Sequence, residues 1–522
     1  MSTLVSATAV VTPAGRIGDA VLIEDGNVAA VGERSAFTGA GIDEVHYRDG
    51  VIVPGLRDAH IHAVPYAALL SGCSLKAATS MGDLVERLAT HAARLAPDAP
   101  VVATRMDDEH LSERRLPTRH DLDRAVPDRP AVIYRYCGHV AVANTAALAA
   151  SGISSATSDP DGGSLDRDDH GEPTGVLRET AAGLIAPALA RGGGMAADDV
   201  LTGLTRLAGL GITSVGAMIG YGESPHEKLE AEVELLASVA DRLPITVHGI
   251  VITDDPDQLS WAAETLNGAG PRLRWLGVKR FADGSLGGHT AAMHHAFADV
   301  DTTGTYRLTP TDTAIAAHAV RLGGMVAIHA IGDRAVSGVL DVFDDLIANG
   351  ADPADLRMEH VSVIDPAQIE RFAAMGVSAC VQPAFLASES DWVTDRVGVD
   401  RASWLYPFRS MLAAGIPMIG SSDCPVEPPH PLWGIASAID RHGVSPSEAL
   451  SPRDALAMFT TAAARSLREP APLGAGSAGD LVVIDVDPLS APAGEIRHAT
   501  ILDTYVGGVA VDVDRSLPAW VD

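Results

Sequence analysis

The chain has 522 residues, which allows more than one folding unit, although a (β/α)8 barrel alone can take about 250 residues. Its 38 lysines and arginines against 68 aspartates and glutamates give a formal net charge of −30, so general attraction to nucleic acid or an anionic membrane is not expected. An apolar content of 47% excludes a disordered chain, and no apolar run approaches the ~18 residues of a membrane-spanning helix. The four cysteines are widely spaced and the N-terminus lacks a secretory signal, so we expect a cytoplasmic protein.

Both ends of the chain predict short strands. Residues 1–50 alternate apolar and polar residues, with Asp25-Gly26 as a hairpin signal. Similar β-rich segments occur at 479–488 and 499–514. Because β-rich ends flank a long middle, we expect residues 1–50 and 466–522 to meet in one small sheet domain.

The middle of the chain, residues 51–465, alternates apolar strands with amphipathic helices. Seven strands are predicted between about 200 and 465, and VIVPGLRDAHIH at 51–62 adds a first one. Asp365-Pro366 is typical of a helix start, and Gly376 and Gly415 of helix ends just before a strand. Eight strands alternating with helices predict an α/β fold of the (β/α)8 TIM-barrel type.

Residues of about 70–195 interrupt this rhythm and are interpreted as an insertion after the first barrel strand. Helices are predicted at 81–95 and 141–150, and a turn-rich stretch at 158–175. Insertions at this point lie on the catalytic face of a barrel and would cover it. The acidic residues at 159–169 lack the spacing of a calcium-binding loop, which favours a solvated loop.

Four histidines stand at the ends of predicted strands. His60 and His62 are two residues apart and therefore point the same way, which suits half of a zinc-type site or a hydrogen-bonded pair near a barrel mouth. His329 ends MVAIH and His360 ends RMEH. Either one alone is typical of a structural histidine. The C-terminal strand ends of a barrel converge, however, so the four together favour a divalent metal site.

Asp423 and Lys279 are the other candidates for this site. Asp423 follows the last strand, where a carboxylate is costly to bury unless it is paired or bound to metal. The alternative is a helix cap, but the prolines that follow argue against an immediate helix. Lys279 is one of only three lysines and lies in an apolar strand. A buried neutral amine can react with carbon dioxide to form a carbamate that bridges two metals; the alternative is an unmodified lysine paired with Asp283 or another carboxylate.

Further polar residues are candidates for the substrate pocket. His139 and Glu179 are flanked by apolar or small residues; the alternatives are a core histidine and a charge on a helix surface. Asp283 and Ser285 follow Lys279 and either support the ligands or form a turn.

Several motifs in order carry a resemblance to a known family. PGLRDAHIH, GVKRFADGSLGG, IHAIGDRAV, MEHVSVID and GSSDCPV together resemble the amidohydrolase superfamily, most closely the YtcJ-like or amidohydrolase-3 branch, which includes N-substituted formamide deformylases. Stretches from IEDGNVAAVGE to LGAGSAGDLVVID extend the resemblance over nearly the whole chain.

The resemblance implies a metal-bearing (β/α)8 barrel with a small β-sandwich domain built from both chain ends. It also implies that His60, His62, His329 and His360 are ligands, that Asp423 is ligand and base, and that Lys279 is a candidate for the carbamate. Relatives often carry arginine where this chain has His289, which makes His289 a candidate determinant of specificity.

The implied activity is hydrolysis of a carbon–nitrogen bond other than a peptide bond, in an amide or N-formyl compound. One or two divalent ions, zinc foremost, would lower the pKa of water towards about 7, and Asp423 would pass its proton to the leaving amine. A small-molecule substrate and a homodimer are the expected partners. A heterocycle deaminase or an esterase on the same barrel, or a catalytically silent binding or regulatory protein, are the alternatives, and the full set of site residues argues against the last.

Overall fold

The computed structural model describes residues 2–37, 41–135, 140–160, 163–189, 195–220 and 225–514. These residues form two compact units, one from residues up to 64 together with residues from 201 onward, and one from residues 65–200. No helix in the described ranges has both the length and the apolar composition needed to cross a bilayer.

Strands from both ends of the chain form one continuous eight-stranded sheet. Ser2–Thr12 is antiparallel to Gly15–Glu24 and parallel to Ile42–His46 and Val51–Pro54. From the other end of the chain, Leu481–Ile484 pairs with Val51–Pro54. The remaining strands are Asn27–Gly32, Ile501–Val506 and Val509–Ala510. Strands from both ends of the chain therefore share one sheet, and the extent and sandwich form of that domain stay predictions.

Apolar residues that alternate along the strands form a buried core on one face of this sheet. Val5, Ile52 and Leu481 come from distant parts of the chain and are all fully buried in one apolar cluster. The hairpin after Gly15–Glu24 turns at Asp25 and Gly26, whose φ angles of 49° and 83° match the left-handed turn that this pair favours.

Eight parallel strands form the barrel, and each pairs with the next along the chain. We number them β1 to β8, in the order Leu56–Ile61, Ile212–Ile219, Thr246–Val251, Leu273–Phe281, Met325–Ala330, Leu356–His360, Ser378–Val381 and Met418–Gly420. Just past the C-terminal end of β8, the Asp423 N–H donates to the His60 carbonyl and the His62 N–H to the Cys424 carbonyl, both at 2.8 Å. These bonds join the end of β1 to the turn that follows β8. The predicted parallel barrel is therefore confirmed, and it is nearly closed.

The segment predicted as a single first barrel strand, residues 51–62, is divided at Gly55. Val51–Pro54 lies in the sheet of the chain ends, and only Leu56–Ile61 lies in the barrel. A Cβ at Gly55 would lie 2.3 Å from the Oγ1 atom of Thr213, so the chain passes too close to β2 for a larger residue. The change of sheet at Gly55 is not marked by a change in burial, because the residues on both sides of it are buried.

Helices connect the barrel strands and extend beyond the last one. They are Ala197–Gly209, Pro225–Ser238, Pro256–Ala269, Pro310–Arg321, Asp333–Ala348, Pro366–Met375, Phe385–Glu389, Val393–Val397, Phe408–Ala413, Pro431–Asp440, Pro452–Met458, Thr461–Ser466 and Ala493–Arg497. Asp365 caps the helix Pro366–Met375 by accepting from the Ala367 N–H at 2.7 Å, and Gly376 ends it with a φ of 73°. Both helix signals in the sequence are thus confirmed.

The unit of residues 65–200 contains a six-stranded sheet of its own, which the sequence interpretation missed. Its strands are Cys73–Ser74, Val101–Met106, Ala131–Arg135, Val140–Ala143, Gly163–Arg167 and Pro173–Glu179, and its helices include Met81–Ala92, Arg119–Ala125 and Thr145–Ala150. The helix predicted at 141–150 begins only at Thr145, because the buried Asn144 caps it by accepting from the Ala147 N–H at 2.8 Å.

Candidate metal centre at the C-terminal ends of the barrel strands

The residues predicted for the site come from five of the barrel strands or the turns directly after them. His60 lies in β1, Lys279 in β4, His329 in β5 and His360 at the end of β6, while Asp423 follows β8. The C-terminal ends of parallel barrel strands meet at one mouth, which brings these distant residues together. One ligand atom each from His60, His360 and Asp423 lies within 4.8 Å of the others.

Asp423 lies between the two histidines at the end of the first barrel strand. Its Oδ1 atom lies 3.1 Å from Nε2 of His60 and 3.3 Å from Nε2 of His62. The Lys279 Nζ atom lies 3.3 Å from the same His60 Nε2. Since only 1% of His60 and of Lys279 is exposed, these two side chains are shielded from bulk solvent.

His360 joins this group to His329. The His360 ring centroid lies 5.2 Å from that of His60 and 4.4 Å from that of His329. His329 Nε2 lies 2.8 Å from the Gly284 carbonyl oxygen, so this nitrogen carries the proton and Nδ1 is left as the nitrogen with a free lone pair. Phe385 stacks beside His360, with ring centroids 6.3 Å apart and ring planes 18° apart.

Two buried acceptors orient the imidazoles of the cluster. Glu359 Oε2 lies 2.7 Å from His60 Nδ1, and Gln382 Oε1 lies 2.8 Å from His360 Nδ1. An acceptor at Nδ1 places the ring proton there and leaves Nε2 with its lone pair. Neither partner was a candidate in the sequence analysis; the available signal for Glu359 was a carboxylate inside the buried strand LRMEH.

Arg357 completes a buried chain of polar groups below the mouth. Its Nε donates to Glu359 Oε1 at 2.6 Å, and neither side chain has any exposed surface. Burial alone would raise the pKa of Glu359, but the charge of Arg357 and the interaction with His60 outweigh it and hold that pKa far below its usual range. Glu359 is therefore an anion.

Burial dominates the charge state of the other groups. It lowers the pKa of the Lys279 amine and, with His329 adding to the effect, places the pKa of His360 well below its usual value. Burial acts in the opposite direction on Asp423, yet the nearby His60 outweighs it and lowers the pKa of this carboxyl. The neutral imidazole of His360 and the carboxylate anion of Asp423 are the donor chemistry that a divalent ion of the zinc type prefers.

The backbone at the mouth is strained. His360, Val361 and Asp423 have φ angles of 73°, 51° and 58°, in the left-handed region that residues with a side chain rarely adopt. Asp58 helps to hold this geometry, because its carboxylate accepts from the Ser422 hydroxyl at 2.5 Å and from the Ser422 N–H at 3.1 Å. Strain that packing maintains at a cluster of polar residues is typical of functional sites.

The predicted pocket residues have different surroundings. Asp283 is buried and accepts from the backbone N–H groups of Ala292, Ile331 and Gly332, while its Oδ1 lies 3.2 Å from His329 Nε2. This carboxylate therefore holds two loops and orients a histidine. His289 is partly exposed, with Nε2 lying 3.0 Å from Asp299 Oδ2.

The other two pocket candidates cannot be placed. Glu179 ends the strand Pro173–Glu179 rather than lying on a helix, and its side chain is outside the described part of the structure. His139 lies outside the described residues altogether.

Comparison with known proteins extends these observations over nearly the full chain. The profile of the amidohydrolase family Amidohydro_3 matches residues 46–512. The protein YtcJ of Bacillus subtilis (strain 168) is 29% identical over 94% of this chain and 96% of its own length. N-substituted formamide deformylase of Arthrobacter pascens is 27% identical over 94% of both chains. The crystal structure of an uncharacterized metal-dependent hydrolase from Pyrococcus furiosus is 28% identical, with a TM-score of 0.79 over 94% of this chain and 100% of the other.

Proposed function

The chain belongs to the amidohydrolase family, and on this premise we propose that it is a metal-dependent hydrolase of carbon–nitrogen bonds in amides or N-formyl compounds. The single observation that carries the proposal is the cluster of His60, His360 and Asp423 at the barrel mouth, with ligand atoms within 4.8 Å of one another. The relative from Arthrobacter pascens, an N-substituted formamide deformylase, supports the choice of bond.

We assign the ligands from the orientation of the side chains. His60, His62 and Asp423 would hold one divalent ion, zinc foremost, because two Nε2 atoms already converge on one carboxylate oxygen. His329 and His360, whose rings adjoin, would hold a second. A bound ion of this type supplies a water of pKa near 7 and polarises a carbonyl group.

Lys279 has two roles open to it in this proposal. Burial lowers the pKa of its amine, and the neutral amine is the form that reacts with carbon dioxide. As a carbamate it would be an anion shared by two ions. As a free amine, 3.3 Å from His60 Nε2, it would instead orient the substrate or water.

Asp423 is the group that moves the proton. Its carboxylate is ionised and lies against His60 and His62, so it can accept the proton of the attacking water. It then returns that proton to the leaving nitrogen, because an amide nitrogen leaves poorly until it is protonated. The hydrogen bonds that hold Ser422 to Asp58 fix the turn from which Asp423 reaches the mouth.

A substrate panel combined with metal analysis tests the proposal. The purified protein is expected to contain a divalent metal by elemental analysis and to release formate and an amine from some N-substituted formamides, or a carboxylate and an amine from amides. Release of ammonia from heterocycles would identify a deaminase, and turnover of esters alone would identify an esterase. Either result would overturn the assigned bond. A metal-free protein that turns over none of these compounds would overturn the proposal as a whole.

A further inference from the structure

The two histidines at the heart of the centre have partners of different charge. His60 Nδ1 faces a carboxylate, Glu359, at 2.7 Å, whereas His360 Nδ1 faces the neutral amide of Gln382 at 2.8 Å. Glu359 shares its two oxygens between two donors, because Oε1 accepts from Arg357 Nε at 2.6 Å and Oε2 from His60. Both carboxylate oxygens of Glu359 are therefore engaged in hydrogen bonds.

Further hydrogen bonds of its guanidinium group fix Arg357 in place. Its Nη1 donates to the Ser466 hydroxyl at 3.0 Å and its Nη2 to the Ala59 carbonyl at 3.1 Å, so the guanidinium is held on three sides. Arg357 is also fully buried, and a buried cation left without an acceptor is costly. Any residue at position 359 must therefore offer an acceptor to Arg357 Nε.

We infer that Arg357 and Glu359 act as a positioning pair that fixes His60 as the Nδ1–H tautomer, so that its Nε2 lone pair faces the metal centre. The inference rests on the proposed metal site and adds two residues to it. A carboxylate can only accept hydrogen bonds, and Glu359 Oε2 lies closer to the ring, at 2.7 Å from Nδ1, than Asp423 Oδ1, at 3.1 Å from Nε2. The proton of the neutral ring is therefore placed on Nδ1. Gln382 acts on His360 through a single oxygen and has no competing cation.

An isosteric substitution separates this role from simple support. In Glu359→Gln only one oxygen remains, and the buried Arg357 takes it because a charged donor makes the stronger hydrogen bond. The amide N–H group then faces His60 Nδ1, which must accept, and the ring proton moves to Nε2. That tautomer cannot bind a metal through Nε2. Zinc affinity is therefore expected to fall by about 10- to 100-fold.

A second substitution is expected to restore the site. In Arg357→Met/Glu359→Gln the competing cation is gone, so the glutamine oxygen can accept from His60 Nδ1 again. Zinc should then bind more tightly than in Glu359→Gln alone. The matched control is Asp312→Asn, which changes a buried carboxylate that accepts from Arg280 Nε at 2.6 Å and lies outside the proposed ligand set, so it is expected to bind zinc within a few-fold of the unmodified protein. A merely structural role would make the double variant worse than the single one.

Two measurements test the inference. The first is competition for zinc between a chelator and each protein. The second is 15N NMR of the metal-free protein labelled at histidine, recorded above the raised pKa of His60 so that its ring is neutral, with the His60 signals assigned by their loss in His60→Asn. Nδ1–H in the unmodified protein and Nε2–H in Glu359→Gln are expected. An Nε2–H tautomer in the unmodified protein, or unchanged zinc affinity in Glu359→Gln, would overturn the inference.

The tautomer of the unmodified protein decides the question even if Glu359→Gln does not fold. It also separates this inference from the proposed function. An unmodified protein that binds no zinc would refute the metal centre, whereas normal zinc binding with the wrong His60 tautomer would refute only the positioning pair.

Discussion

Glu469 connects three barrel strands at the end of the barrel opposite the candidate metal centre. Its Oε2 accepts from Arg57 Nε at 2.6 Å, and its Oε1 accepts from the Ser214 hydroxyl at 2.5 Å and lies 2.9 Å from His248 Nε2. The partners come from β1, β2 and β3. The Glu469 side chain is 14% exposed and that of Arg57 is 3% exposed, so solvent screens this group only weakly.

The pKa of Glu469 gives the size of its contribution. Burial would raise this pKa, but His248, Arg57 and Ser214 outweigh it and lower the pKa from 4.5 to about 2. A shift of this size corresponds to about 3 kcal/mol of stabilisation. Because the folded pKa lies below the unfolded one, the stabilisation is fully present above the unfolded pKa and is lost as the pH falls towards 2.

Glu469→Gln is therefore expected to lower the free energy of unfolding by about 3 kcal/mol at pH 7. The difference from the unmodified protein should shrink by about 2 kcal/mol at pH 3, where much of Glu469 in the unfolded chain is protonated. Urea unfolding followed by circular dichroism at a series of pH values measures both. Asp355→Asn is the control: its carboxylate is 38% exposed and pairs with Arg468, so the loss should stay below about 1 kcal/mol.

Two results would refute this reasoning. The first is a Glu469→Gln variant as stable as Asp355→Asn at pH 7. The second is a stability difference that stays constant between pH 7 and pH 3, since the stabilisation of an ionised carboxylate must depend on pH.

The remaining predictions concern the barrel mouth. Asp423→Asn should retain most of its metal by elemental analysis and lose about 100- to 10,000-fold in turnover, because the amide cannot accept the proton; unchanged turnover would remove Asp423 as the base. His60→Ala should lose metal, whereas the control His318→Ala, in the helix Pro310–Arg321, should keep it; full metal content in both would refute His60 as a ligand. Asp283→Ala removes the acceptor of three backbone N–H groups, so faster amide exchange at Ala292, Ile331 and Gly332 is expected by mass spectrometry, and unchanged exchange would contradict the role assigned to this carboxylate.

Much of the barrel could be predicted because its signals are local. Apolar runs followed by capped helices are visible within a few residues, as at Asp365 and Gly376, and each strand contributes the same pattern. The ends of parallel strands must meet, so His60, His360 and Asp423 could be predicted to lie together without any contact being known.

The errors occurred where local pattern does not distinguish two structures. The division of residues 51–62 at Gly55 depends on a close approach to Thr213, which lies far away in the sequence. Residues 141–143, in the strand Val140–Ala143, were predicted as the start of a helix because alanine and valine occur in both helices and strands. Pairing with Ala131–Arg135 and Pro173–Glu179 made this segment a strand.

The identity of the residues available for the chemistry, and the strand ends at which they stand, follow from the amino-acid sequence alone. The contacts that hold these residues depend on the assembled fold. Residues next to each other in a strand point to opposite faces, so nothing in LRMEH indicates that Glu359 would support His60 of another strand. The partner of a buried polar atom depends on which strands lie side by side and in what register, and that is settled only when the whole barrel is assembled.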